Sequence, residues 1–245
     1  MPQRDEPDAE TRVRSGATEP PCPLAGYEGE SEDEVIGVND PRHPQVPRLF
    51  DRISRVYDAS VLQAVVYRPP QDAILRELRK RGLGRVADVG CGTGILAARI
   101  RAELGPEAVY GCDLSAGMLE QARNRSGAVL WMLAPTESLP FRSASLDAVV
   151  SSHAFHFFDQ AAAVEEFRRV LKPTGIVAVA VMAPRTRSGS RAVDLSLGGA
   201  GHFPQQAELR GLFEAAGFRD IRQRRVRRGP FQMASPDVLT VAQAP

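Results

Sequence analysis

Apolar side chains follow two rhythms along this chain. Between residues 85 and 182, short apolar runs alternate with segments whose apolar positions return every three or four residues. The runs 85–89, 108–113, 129–133, 146–151 and 176–182 predict strands; 94–104, a segment capped by Ser115 and ending at Arg125, and 161–171 predict helices. Lys172-Pro173-Thr174-Gly175 reads as the turn before the last of these strands. That strand lies within the longest apolar stretch of the sequence, 175–183, as a strand covered on both sheet faces requires. Repeated strand–helix–strand units imply a parallel, doubly wound sheet.

Both ends depart from this rhythm. Leu49, Phe50, Ile53, Val56 and Tyr57, then Val61, Leu62, Val65 and Val66, recur at helical spacing, and Pro69-Pro70 opens a further helix carrying Ile74, Leu75 and Leu78. After the fifth strand, the Gly/Ser/Arg-rich stretch 184–202 reads as a flexible loop. A helix over 205–216 ends at Gly217, and 218–226 with 238–242 forms a hairpin-like pair that places an antiparallel strand near the sheet's C-terminal edge.

Charge separates the N-terminus from everything else. Residues 1–40 hold eleven acids against three arginines, a net −8, whereas the whole chain is +1 and the remainder therefore +9. With many Pro and Gly and few large apolar side chains, residues 1–45 are expected to be a disordered acidic tail, and 46–245 a single domain. Cys22, Cys91 and Cys112 show neither paired nor metal-ligand spacing, so no metal is expected and free thiols in a cytoplasmic setting are. No apolar run reaches the roughly 20 residues that span a bilayer. The arginines between 219 and 228 read as a solvated sheet edge rather than a nucleic-acid surface.

The first strand runs into Gly90-Cys91-Gly92-Thr93-Gly94 and directly into a helix. Such a turn lets a ligand reach the backbone with no Cβ in the way. The register 92–97 also satisfies the loose dinucleotide pattern, which keeps a nicotinamide-dependent oxidoreductase open. Asp113, ending the second strand, suits a ribose diol in either case.

The wider string Val86-Ala87-Asp88-Val89-Gly90-Cys91-Gly92-Thr93-Gly94 resembles the first motif of class I S-adenosylmethionine-dependent methyltransferases. Tyr110-Gly111-Cys112-Asp113-Leu114, Thr136-Glu137-Ser138-Leu139-Pro140-Phe141 and Arg169-Val170-Leu171-Lys172-Pro173 extend the likeness to the type 11 group, which includes ubiquinone/menaquinone C-methyltransferases. The resemblance implies a Rossmann-like α/β fold, S-adenosylmethionine as cofactor and a small, hydrophobic acceptor. It implies donor contacts at Asp88, Gly90, Cys91, Gly92, Gly94, Asp113, Leu114, Thr136, Glu137 and Ser152. One departure stands out: Pro135 occupies a position where many relatives carry an adenine-reading Asp.

Methyl transfer from a sulfonium needs in-line positioning, and a general base only when the acceptor must lose a proton. His156 and His153, just past the fourth strand, are the candidates for that base, His156 first. The alternative is that each packs or lines the cleft. His202 is a weaker candidate. A non-catalytic protein that binds the cofactor, and a methyltransferase acting on tRNA or rRNA through the arginines of 222–228, are further alternatives.

Overall fold

The computed structural model describes residues 67–196, 201–226 and 237–245; the acidic tail and the helices expected over 49–66 lie outside them. The elements in order are α1 (Arg68–Leu78), β1 (Arg85–Val89), α2 (Ile95–Leu104), β2 (Ala108–Asp113), α3 (Ala116–Arg125), β3 (Leu130–Leu133), β4 (Leu146–Ser152), a 3-10 turn (Phe155–Phe157), α4 (Gln160–Val170), β5 (Leu171–Met182), α5 (Arg187–Ser196), α6 (Gln206–Ala215), β6 (Arg219–Arg225) and β7 (Asp237–Gln243). Seven strands form one sheet in the order β3-β2-β1-β4-β5-β7-β6. Strands β1 to β5 pair in parallel, and β7 runs antiparallel between β5 and β6. The antiparallel strand therefore lies one place in from the edge. The chain order reverses beside β1, which opens a crevice at the carboxyl ends of β1, β2 and β4.

Local chemistry explains the helix starts. The Ser115 hydroxyl accepts from the Met118 N–H at 3.1 Å, and the Asp159 carboxylate accepts from the Ala162 N–H at 3.2 Å. Pro69 and Pro70 occupy the first turn of α1, where missing N–H groups cost nothing. Apolar residues then fill both sheet faces. One core joins Val149, Val177 and Val179 to Phe155, Phe167 and Phe213; the other joins Val86, Ala178 and Leu239 to Ile74, Leu75 and Ile100.

Two expectations need correction. Residues 187–196 are helical rather than loop: the Thr186 hydroxyl accepts from the Gly189 N–H, and the Thr186 carbonyl accepts from the Ser190 N–H, both at 3.0 Å. A threonine N-cap offset the low helix propensity of the Gly and Ser residues. The turn at 172–175 is built into β5, whose register against β4 jumps from Leu146↔Leu171 to Ala148↔Ile176. Thr174 takes a φ of 64° there. Asp147 ties the irregularity down, accepting from Lys172 Nζ at 2.7 Å and from the N–H groups of Gly84 (3.1 Å) and Arg85 (2.7 Å).

Candidate active site

A cleft of about 1060 Å³, counting the part open to solvent, lies at the carboxyl ends of β1, β2 and β4. Its floor is the glycine turn. The N–H groups of Gly90 and Cys91 both donate to the Cys112 carbonyl, at 2.8 and 3.0 Å, which locks the end of β1 to that of β2. Asp113 then grips the turn from the side: Oδ2 accepts from the Gly92 N–H at 2.8 Å and Oδ1 from the Ser115 N–H at 2.9 Å. One carboxylate thus fixes both the turn and the start of α3, and its remaining lone pairs suit a diol.

The three glycines are needed for different reasons. A Cβ on Gly90 would stand 2.4 Å from Ala154 Cβ and 2.8 Å from the Phe158 ring. One on Gly94 would stand 2.4 Å from the Trp131 ring and 2.9 Å from Ala122 Cβ. Gly92 alone faces open space, with nothing within 4 Å of an added Cβ, at a φ of +54°. Of the residues expected around the donor, Asp88, Gly90, Cys91, Gly92, Asp113, Leu114, Thr136, Glu137 and Ser152 line the cleft, whereas Gly94 lies beneath Trp131.

Asp88 is a strongly perturbed carboxyl in this wall. Burial, reinforced by the nearby Asp113 and only partly offset by the Ala97 N–H, pushes its carboxyl up to about 8. A cationic ligand group would relieve that penalty. Burial also raises the Cys91 and Cys112 thiols, so neither is poised as a nucleophile. Glu137 is half-committed: its Oε1 accepts from the Asp159 N–H at 3.2 Å, at the start of α4.

The histidines separate. His153 lines the cleft, with its Nδ1 3.4 Å from Ser152 Oγ and the Tyr67 ring edge-on at 5.0 Å. It has a left-handed φ of 58°, and its N–H donates to the Ala180 carbonyl at 2.9 Å. For a non-glycine residue this is a strained backbone, of the kind found at functional sites. His156, placed first on sequence grounds, does not line the cleft. It is buried, stacked on Phe203 with ring centroids 4.5 Å apart, and burial with the nearby His153 pushes its pKa down to about 3. Such an imidazole resists taking a proton. His202 is exposed and bonds Glu208 Oε1 at 2.7 Å.

The phenylalanines divide as well: Phe157 and Phe158 line the cleft, whereas Phe155 and Phe203 are core. The sequence reading also missed Asp237. Fully buried at the start of β7, it lies opposite Met182, and its Oδ1 is 3.4 Å from His153 Nε2. The one signal in the sequence was an acid directly ahead of an apolar strand, which reads as an ordinary turn residue. Of the edge arginines, Arg222 and Arg224 pair with Glu77, and Arg225 donates to the Ala183 carbonyl. No described helix is long and apolar enough to cross a membrane, and no metal-ligating cluster occurs among the described residues.

The residues present fit S-adenosylmethionine: Gly92 leaves a space that a Cβ would fill, a buried acid awaits an ammonium, and a second acid sits at the adjacent strand end. Residues 87–179 match the methyltransferase domain family model. The ubiquinone/menaquinone biosynthesis C-methyltransferase UbiE of Syntrophotalea carbinolica is 32% identical over 205 residues, covering 72% of this chain and 86% of that one. A malonyl-[acyl-carrier protein] O-methyltransferase of Geobacter sulfurreducens is 35% identical over 195 residues, covering 72% and 71%. In fold, the chain is similar to the methyltransferase solved with the Haloferax volcanii Trm112 activator, with a TM-score of 0.68 at 23% identity over 80% of this chain and 97% of that one. With relatives matched at this identity along most of their length, the chain belongs to the class I S-adenosylmethionine-dependent methyltransferases, a Rossmann-like enzyme family, and not to the nicotinamide enzymes that its glycine turn alone would have allowed.

Proposed function

We propose that this enzyme, a domain over residues 46–245 behind an acidic tail, methylates a small hydrophobic acceptor in the cytoplasm. The observation that carries the reading is the mixed lining of the cleft: Asp88, Asp113 and Thr136 supply polar groups, and Tyr67, Phe157 and Phe158 supply aromatic ones. The polar groups suit the amino-acid and ribose parts of the donor; the aromatic rings suit an apolar acceptor. When bound, the donor supplies a methyl group already activated by a positive sulfur. The task left to the chain is to exclude water, align the acceptor and, where required, accept its proton. Near the adenine, Ala134 and Thr136 flank Pro135, so backbone groups take the place of an acidic side chain.

Calorimetry with S-adenosylhomocysteine and with NADH tests the donor. Binding of the first in the micromolar range and none of the second is expected; the reverse result would sink the assignment. A screen of acceptors with methyl-labelled donor, run on extract of the source organism, tests the acceptor, and label found only on polar, water-soluble products would contradict the hydrophobic reading.

A carrier-tethered acceptor is the second reading. It is favoured by the malonyl-[acyl-carrier protein] relatives together with Arg185, Arg187 and Arg191, which are exposed just past β5, at the sheet's carboxyl edge. An acidic carrier protein that binds with strong salt dependence, and is lost when these arginines become glutamates, would support it.

A further inference from the structure

The pairing of His153 with Asp237 reaches beyond methyl transfer as such, to the chemistry of the acceptor. The two residues lie 84 positions apart in sequence and meet only because β7 inserts beside β5, opposite Met182. Both are buried, with His153 Nε2 3.4 Å from Asp237 Oδ1. A carboxylate at one imidazole nitrogen settles which nitrogen carries the proton. Nε2–H then faces Asp237, and the bare Nδ1 lies on the side of Ser152, which lines the cleft. The other groups around the ring are the Tyr67 ring, edge-on, the Ala180 carbonyl, which holds the backbone N–H, and the nearby His156, whose own pKa burial pushes down to about 3. A strained backbone at His153 is retained although neighbouring residues of β4 are regular.

We infer that Asp237 is a positioning residue that fixes His153 in the Nε2–H tautomer, leaving Nδ1 as the proton acceptor in the cleft. The inference rests on the methyl-transfer reading and narrows its substrate class. The methylated atom carries a removable proton, as in a phenol, another hydroxyl or a carbon acid flanked by carbonyls. An amine or thioether that attacks through a free lone pair would need no such pair. In the step, the acceptor's proton passes to Nδ1, the freed electron pair forms the bond to the methyl carbon, and the electrons of the broken carbon–sulfur bond remain on sulfur. His153 ends as an imidazolium beside the Asp237 carboxylate, and it returns the proton to solvent after product leaves. His153 Nε2 and Asp237 Oδ1 are both buried and 3.4 Å apart but make no hydrogen bond with each other here; such contacts often tighten only with ligand in place.

Long-range ¹H–¹⁵N correlation spectra of the full-length protein, with His153 assigned through His153→Gln, read the tautomer without any acceptor. Expected is an Nε2–H imidazole in the wild type. In Asp237→Asn, a shift of His153 toward the Nδ1–H tautomer is expected, because no carboxylate then holds the proton on Nε2. S-adenosylhomocysteine affinity, measured by calorimetry, should be unchanged in that variant. An Nδ1–H tautomer in the wild type would overturn the inference whether or not the variant folds. An unaltered His153 tautomer in folded Asp237→Asn would overturn it too. Failure of the wild type to bind S-adenosylhomocysteine would strike the methyl-transfer reading instead, a result recorded in a separate measurement from the tautomer.

Discussion

Two regions around the cleft are built by opposite means. The glycine-turn side is local: Asp88, the glycine turn and Asp113 fall within 26 consecutive residues, and their contacts are mostly between one backbone segment and the next. The histidine side is assembled from Tyr67 before α1, His153 after β4 and, behind it, Asp237 at the start of β7, which share no motif and meet only in the folded sheet. A local site tolerates variation elsewhere in the chain; an assembled one can change with any of the elements that carry it. The family's common donor and varied acceptors fit that division.

The contrast can be broken first within the turn itself. Gly94→Val drives a side chain into Trp131 and Ala122 at a φ of +78°, and should cost about 3 kcal/mol or more of stability in urea unfolding. Gly92→Val meets open space. It should cost only about 1–2 kcal/mol of backbone strain while abolishing S-adenosylhomocysteine binding. Equal stability losses, or retained binding at Gly92→Val, would show that Gly92 does not face the donor.

Asp113→Ala comes next. Losing the acceptor for Gly92 and Ser115 N–H should weaken S-adenosylhomocysteine binding about 10- to 100-fold, or roughly 1.4–2.8 kcal/mol, in a titration. Unchanged affinity would move the ribose site elsewhere.

Asp88 gives a pH test. Its carboxyl is raised from 3.8 to about 8, so between those values the donor-free folded protein holds a proton that the unfolded chain has released. Stability from this group is therefore full below about pH 4 and is lost as pH rises through about 8. Asp88→Asn should flatten that part of the melting-temperature profile. At pH 7, binding a ligand ammonium should release close to one proton, read from calorimetry in buffers of different ionisation enthalpy. No proton release would mean that Asp88 does not meet the ammonium.

The smallest effect belongs to the sheet edge. Arg222→Ala with Arg224→Ala removes partly exposed partners of Glu77 and should change stability by about 1 kcal/mol or less, with donor affinity untouched. A larger loss of donor binding would tie that edge to the site.

Much of the fold was legible because apolar periodicity is a local property. Val86, Val149 and Val177 alternate with their neighbours wherever they end up, and Ser115 caps its helix with a residue three positions away. The helix at 187–196 was not legible. Its cap, Thr186, is an unremarkable residue in a stretch whose glycine and serines argue for a loop. Among the histidines, His156 and His153 look alike in sequence. Only the Phe203 stack on one and the cleft on the other separate them. Asp237 was invisible for the same reason, since an acid before a strand is normally solvated.

The sequence by itself determined the alternating architecture, the glycine turn and the acids that flank it, because each of these depends on spacing within one β-α-β unit. Tertiary structure decided which glycine faces open space, which histidine lines the cleft and which acid stands behind it. Those depend on burial and on strand order, and β7 entering between β5 and β6 is what brings Asp237 to His153.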